Sequence, residues 1–386
     1  MRCWSLFALL CATVLIGSAL TGCRSERRPV EASASALPAP APAAPPPPPA
    51  DPAKIGANEM GMIPVVMYHS VGDPPARRGG PRYDRRGLNI SPATFRKHLQ
   101  MMHAAGWYPV NMRDALTARM QVPAGKTPVV LTFDDGRGSQ FRYLPDGSID
   151  PDCVVGILEE FNRRHLDWPL RGTFYLNSNR SNPVPFWQRG KEAQKIQYML
   201  EKGFEIGNHS STHSSMANMS AARLQWEVAD CIRYIRRLAP NATMDTFCLP
   251  YGAWPRNRAL LGVLMEGSEG GTSYRNLAVL NAWGGPTYPP AHRKFDPRAV
   301  LRIGVDPGYL EMWIKNLKAG KPLRPYISDG DPNVVCVPRS LERWVAANRL
   351  EGARLVIYED GAPKPKTGKR EKAPKERRKP RPLSVQ

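Results

Sequence analysis

The sequence predicts an α/β domain folded as a barrel, and three observations predict it. Short apolar runs alternate with helical stretches, the alternation extends over about 250 residues, and the chemically active side chains fall where the runs end. In chain order, Ile63–Ser70, Pro128–Phe133, Arg171–Leu176, Gly203–Gly207, Thr246–Leu249 and Leu277–Leu280 read as buried strands. Pro92–Ala105, Lys191–Lys202 and Ser220–Leu238 read as helices, with apolar residues at spacings of three and four and Ser220 as N-cap. No internal repeat is visible.

The domain has attachments at both ends. A chain of 386 residues with 42% apolar residues and nine tryptophans is not wholly disordered. Beyond residue 22 no apolar run approaches the roughly 20 residues a spanning helix needs; the charge-free stretch Ala32–Ala50 is broken throughout by proline and serine. Met1 and Arg2 precede an apolar run from Trp4 to Leu20, which reads as an export signal. Leu20-Thr21-Gly22-Cys23 resembles the lipobox of bacterial lipoproteins, which implies removal of residues 1–22, diacylation of Cys23 and a lipid-anchored, exported location in a bacterial cell envelope. The alternatives are an ordinary cleaved signal and a start-anchored helix. Residues 23–59 are then an Ala/Pro-rich stalk with polyproline character. Residues 362–386, with ten Lys and Arg against Glu371 and Glu376, form a tail disordered by composition that touches an anionic envelope surface. Of seven cysteines, Cys153, Cys231, Cys248 and Cys336 remain for up to two disulfides in an oxidising compartment. The formal charge of +20 is partly this tail, and no stacking-aromatic motif accompanies it, so nucleic acid is not an expected partner.

The strand ends carry the chemistry. Asp134 and Asp135 follow PVVLTF as adjacent carboxylates at the mouth of an apolar strand, where a cation or proton has to pair with them. His209 and His213 follow GFEIG four residues apart, a spacing that places both on one side of a helical turn and lets them meet one metal ion. Two His and one Asp leave a coordination position for water, as a metallohydrolase requires. Each signal alone suits a turn or a surface helix face. Together, at two strand ends about 75 residues apart, they suit a site.

TFDDG at Thr132–Gly136 and GNHSSTH at Gly207–His213 resemble the first two motifs of the polysaccharide deacetylases, the NodB-homology domain of carbohydrate esterase family four. The resemblance covers roughly Ile63–Ile303 and implies a distorted (β/α) barrel, with a catalytic domain at 60–305. It implies that Asp135, His209 and His213 hold a divalent metal, zinc first, with cobalt or nickel as alternatives. Asp134 would be the general base, taking a proton from water as it attacks an acetamide carbonyl. The third motif resembles Phe247-Cys248-Leu249-Pro250-Tyr251-Gly252, in which the Tyr251 N–H helps hold the oxyanion and Pro250 and Tyr251 touch substrate. Many members carry Arg where this chain has Cys248, which leaves base positioning open or to another group.

The late His of many members is also absent. A subgroup that appears permuted opens with an apolar-Met-Tyr-His strand, like Met67-Tyr68-His69-Ser70, and this makes His69 the candidate general acid. The alternative is a structural His that orients Asp134 or packs. His98, His103, His165 and His292 carry no expected role. Trp283 lines a sugar subsite or packs in the core, Trp187 and Tyr288 are weaker substrate candidates, and Asn208 is expected to support the metal site without ligating. The insertion Arg137–Asp152 is a piece of the substrate groove or a surface excursion. Residues 306–361 hold a helix candidate at Tyr309–Leu317 and a strand pair, completing the barrel or appended to it. The function these features imply is removal of N-acetyl groups from an N-acetylhexosamine polymer of the envelope or exterior. The alternatives are a non-catalytic polysaccharide-binding lipoprotein on the same scaffold and a xylan-type O-acetyl esterase.

Overall fold

The structure, a computed structural model, describes residues 51–73, 84–178 and 185–360. Cys23, residues 1–22, the stalk up to residue 50 and the tail at 362–386 lie outside the described residues.

Eight strands make one parallel sheet: β1 (Val65–Tyr68), β2 (Trp107–Val110), β3 (Thr127–Asp134), β4 (Thr173–Leu176), β5 (Glu205–Asn208), β6 (Thr246–Cys248), β7 (Ala278–Leu280) and β8 (Ile303–Gly304). Their order is β7-β6-β5-β4-β3-β1-β8. Val130 pairs with Val65 of β1 on one edge of β3 and with Val110 of β2 on the other, while Thr132 pairs with Met67 and with Thr173 of β4. So β2 and β4 share one edge of β3 in succession. Leu280 bridges Val300 in the parallel sense, three residues before β8 begins, so the sheet curls back to where it started. This is the distorted barrel that the strand–helix alternation predicts.

Residue parity explains why the runs are apolar throughout. Along the strands, Val65, Val130, Tyr175, Cys248 and Leu280 fall in one buried cluster. Their neighbours Val66, Leu131, Phe174, Phe247 and Val279 fall in another, which also contains the helix residues Leu99, Ile157, Met199 and Ile232. The first set fills the barrel and the second meets the helices, so both faces of each strand are buried. The helices of ten residues or more are α1 (Pro92–Ala104), α2 (Val154–Arg164), α3 (Glu192–Glu201), α4 (Ala221–Leu238) and α5 (Tyr309–Lys318). Ser220 caps α4, its Oγ accepting from the Arg223 N–H at 3.3 Å. Leu224, Val228, Cys231, Ile232 and Ile235 give α4 its buried stripe.

Three elements were not anticipated. β2 contains Pro109, which reads as a strand breaker but sits where β2 pairs with a single neighbour. α2 follows Asp150-Pro151-Asp152 and carries Gly156, both loop signals. β8 is two residues long.

Residues beyond 305 add α5 and a separate parallel pair, β9 (Val334–Pro338) with β10 (Arg354–Tyr358). Part of this extension closes the end of the barrel away from Asp134. Thr127, which opens β3, donates through Oγ1 to the Tyr326 carbonyl at 2.7 Å, and Met62 N–H donates to the Arg324 carbonyl at 2.9 Å. Ala57, Asn58 and Glu59 are buried against this layer, so the stalk expected to run to residue 59 joins the fold by residue 57. Among the described residues no helix is long and apolar enough to cross a membrane. Cys153, Cys231, Cys248 and Cys336 are buried and free, so among the described residues there is none of the disulfides that an oxidising compartment would permit.

Glu59 gives a pH prediction. Its Oε2 accepts the Cys336 N–H at 2.9 Å, and burial, aided by the Asp329 carboxylate, pushes its carboxyl from 4.5 up to about 8. Between these values the unfolded chain releases a proton that the fold retains. Stability is therefore whole below 4.5 and falls as pH rises towards about 8, by at most about 1.4 kcal/mol per unit. Thermal melting across this window is expected to show the decline in wild type and a flatter profile in Glu59→Gln. Parallel profiles would remove Glu59 as the cause.

Candidate active site

The end of β3 turns sharply. Asp134 keeps strand geometry, whereas Asp135 has φ 77° and Gly136 φ 61°, so successive carboxylates point to different partners. Asp134 is buried and receives a two-pronged ion pair from Arg302: Nη1 donates to Oδ1 and Nη2 to Oδ2, each at 2.8 Å. Arg302 is itself fully buried, one residue before β8, with Nε donating to the Asn281 carbonyl at 2.6 Å and Nη1 to Thr132 Oγ1 at 3.1 Å. Burial alone would push the Asp134 carboxyl up; the charge and hydrogen bonds of Arg302, together with the neighbouring His209 and His69, outweigh it and hold the pKa at about 2. Asp134 is therefore a carboxylate at any working pH. Cys248 Sγ lies 3.5 Å from Asp134 Oδ2, where family members place Arg. The missing cation comes from Arg302, just before β8, two strands from Asp134 by way of β1.

Asp135 is held differently. Arg137 donates to its Oδ2 through Nε at 2.9 Å and Nη2 at 2.8 Å. Its Oδ1 is buried and accepts no hydrogen bond, and it faces His209 Nε2 at 3.3 Å and His213 Nε2 at 3.0 Å. His209 Nδ1 lies 2.9 Å from the Cys248 carbonyl, which can only accept, so that nitrogen carries a proton and Nε2 is the nitrogen turned to Asp135. His213 Nδ1 meets Tyr251 Oη at 3.2 Å, which leaves its Nε2 on the same side. A buried carboxylate oxygen thus faces two imidazole nitrogens. Such an arrangement requires a cation or a proton between them, and the donor set of one carboxylate and two imidazoles fits a divalent transition metal.

The helical turn expected to align the two imidazoles is not there. The segment after β5 is an irregular loop with Ser210 at φ 68° and His213 at φ 55°. Glu227, fully buried on α4, imposes the loop shape by accepting the Ser211 N–H at 3.0 Å, the Thr212 N–H at 2.8 Å and Thr212 Oγ1 at 2.6 Å. Asn208 supports the loop as expected, accepting the Ser210 N–H at 2.9 Å and donating to the Val228 carbonyl at 3.0 Å.

These residues converge on a cavity of about 440 Å³ that His69, Asp134, Asp135, His209, His213 and Arg302 line together with Tyr251 and Trp283. His69 ends β1 with Nε2 3.9 Å from Asp134 Oδ2, and burial lowers its pKa. Tyr251 (64% exposed, φ 58°) and Trp283 (54% exposed) stand at the mouth, so Trp283 is not a core residue. Pro250, expected to touch substrate, is buried in the turn that presents Tyr251 and does not line the cavity. The insertion Arg137–Asp152 is interior only at its start and a surface excursion beyond it: Ser139, Gln140 and Phe141 are fully buried, Leu144–Ser148 are exposed, and only Arg137 reaches the cavity. Gln140 Nε2 donates to the His69 carbonyl at 2.8 Å and the Asp134 carbonyl at 2.6 Å, tying two strand ends together. Trp187 packs beside Arg137, Tyr288 stacks on His292, and His98 meets Tyr68 Oη at 3.3 Å.

Arg302, Gln140 and Glu227 are the site residues that sequence reasoning missed. Arg302 had a signal: a lone charge in the apolar stretch Val300–Val305 needs a buried partner. The other two had none.

Comparison with known proteins places this geometry. Residues 121–262 match the polysaccharide deacetylase family. The chain carries a polysaccharide deacetylase domain. The matched stretch contains Asp134, Asp135, His209, His213 and Tyr251, while His69, Trp283 and Arg302 lie outside it. A chitooligosaccharide deacetylase of Bradyrhizobium sp. (strain ANU 289) is 27% identical over 183 residues, 47% of this chain and 63% of the relative. One from Sinorhizobium fredii is 27% identical over 182 residues, 47% of this chain and 64% of the relative. The chain thus spans just under two thirds of the length of these curated relatives. Among solved structures, a Streptococcus pyogenes deacetylase in complex with acetate is similar at a TM-score of 0.47 and 18% identity, covering 66% of this chain and 96% of that one. The deacetylase domain places its carboxylates and imidazoles at the C-terminal ends of β3 and β5, as barrel enzymes do.

Proposed function

We propose that the protein is a metal-dependent hydrolase that removes N-acetyl groups from an N-acetylhexosamine polymer. The observation that carries this is Asp135 Oδ1, buried without a hydrogen bond and facing two imidazole nitrogens, next to a second carboxylate kept ionised by Arg302. Asp135, His209 and His213 would hold the metal, which supplies acidification of a water molecule and polarisation of the acetyl carbonyl. Asp134 is placed to take the proton of the attacking water, with Arg302 fixing the carboxylate plane. His69, on the far side of Asp134 Oδ2, is placed to protonate the departing amine. Because burial favours its neutral ring, that proton is best supplied during turnover by Asp134, 3.9 Å away. Tyr251 and Trp283 offer aromatic faces to sugar rings at the mouth. The non-catalytic alternative rests on Cys248 and the absent late His; the Arg302 ion pair to Asp134 and the nearness of His69 support the catalytic reading over it.

The test is acetate release from a panel of acetylated glycans, N-acetyl and O-acetyl, by protein lacking residues 1–50, with and without zinc. Zinc-dependent release from N-acetylated polymers is expected; release from acetylated xylan alone would move the reading to an esterase, and none at all to a binding protein. His69→Ala is expected to lower amide turnover about 100-fold or more while an activated ester, whose leaving group needs no proton, suffers far less. Equal losses on both substrates would make His69 a positioning group.

Export and anchoring belong to the same proposal. Acyl chains on Cys23 would hold the domain at a membrane face, and Cys23→Ser is expected to appear in the soluble fraction. A variant that stays with membranes would point to an uncleaved apolar segment or to the basic tail.

A further inference from the structure

At the barrel end opposite the active site, α1 and α2 finish side by side. His103 occupies the last turn of α1 and His165 the C-cap of α2, just before the chain enters β2 and β4 from below. The two imidazoles lie 4.4 Å apart between centroids with their planes tilted by 47°, and Asp167 reaches back so that His103 Nε2 lies 3.0 Å from Oδ1 and 3.1 Å from Oδ2. One ligand atom from each of His103, His165 and Asp167 lies within 4.8 Å of the other two. Phe161 and Trp168 wall the rings, with centroids 4.4 Å from His165 and 5.9 Å from His103 respectively.

We propose that His103, His165 and Asp167 form a second transition-metal site, separate from the active site and clamping α1 to α2. Three features carry it. The donor set, two imidazoles and one carboxylate, is that of the site above Asp135, and it selects zinc, cobalt or nickel over magnesium. Two helix C-termini converge here, each presenting the negative end of its dipole, so the position favours a cation even before Asp167 is counted. The rings are pinned by Phe161 and Trp168, which limits the ordering a metal has to impose. Lys126 Nζ, 3.5 Å from Asp167 Oδ2, competes for that carboxylate, and the imidazole and carboxylate are part exposed. Both weaken the site relative to the buried one, so it fills second.

Zinc titration of the metal-stripped full chain, followed by calorimetry, tests this. Wild type is expected to take up about two equivalents, Asp167→Asn and Asp135→Asn about one each, and magnesium none at the second site. Asp167 is an exposed residue whose amide isostere keeps the packing, so Asp167→Asn should melt like wild type in chelator and gain less from zinc, since metal bound only to the folded state raises Tm. Its deacetylation rate should be unchanged. Asp167→Asn taking up as much zinc as wild type, or Asp135→Asn taking up none, would overturn the proposal. Failure of the active-site reading looks different: there Asp135→Asn and wild type would bind alike.

Discussion

Asp134→Asn is expected to abolish acetate release while leaving the active-site metal in place, and Asp135→Asn to lose both. The structure separates the two adjacent carboxylates completely. Asp134 gives both oxygens to Arg302, whereas Asp135 gives Oδ2 to Arg137 and leaves Oδ1 facing the Nε2 atoms of His209 and His213. An amide at 134 keeps one acceptor for Arg302 but cannot take a proton from water, so turnover should fall by at least about 10³, the upper range for losing a general base. An amide at 135 removes the anionic ligand, and affinity for zinc should fall at least about 10- to 100-fold. Metal content and acetate release measured on the same preparations decide the matter. Equal loss of metal in both variants would mean that the division of labour within the pair is wrong.

Arg302→Leu is expected to be the most destabilising single change in the site. Arg302 and Asp134 are 0% and 2% exposed at their side chains, so removing the cation leaves a carboxylate buried without a counter-charge. Breaking such a pair costs about 3–5 kcal/mol, because the remaining carboxylate stays buried after its counter-charge is gone. The double variant Arg302→Leu/Asp134→Asn removes the charge as well as its partner and should be more stable than Arg302→Leu alone, and the cycle completed with Asp134→Asn should give a coupling energy of about 1–3 kcal/mol in chemical denaturation. Additive losses would show that the two do not act as a pair. Activity gives a second readout. If Arg302 positions the base, Arg302→Lys should recover stability more than rate, since an ammonium restores the charge but not the two-pronged geometry that fixes the carboxylate plane. Equal recovery of both would make its role purely electrostatic.

Much of the site was legible because its residues come in short motifs at strand ends. Asp134-Asp135 and His209 with His213 announce themselves by a chemistry that needs pairing, and an apolar run before each pair marks the strand that carries it. His69 was legible for the same reason, as a lone polar group ending the run of β1. The helices at Pro92–Ala104 and Ala221–Leu238 were legible through caps and periodicity, which are local properties. By contrast β2 and β8 are strands because of their neighbours: Trp107–Val110 pairs with β3, and Ile303–Gly304 with β1.

What the sequence determined by itself is therefore the fold class, the carboxylate and imidazole set, and the departure at Cys248. Only the tertiary structure decided which group replaces the cation absent there. The barrel brings Arg302 to Asp134 across 168 residues, Glu227 to the His209–His213 loop, and Gln140 to the carbonyls of both His69 and Asp134. It also decided that the imidazoles meet Asp135 through left-handed backbone at Ser210 and His213 and not through a helix. The physical reason is the same in each case. A motif is readable when the interaction it serves lies within a few residues, whereas a buried charge is satisfied by whatever the closed sheet places beside it, and closure is a property of the whole chain.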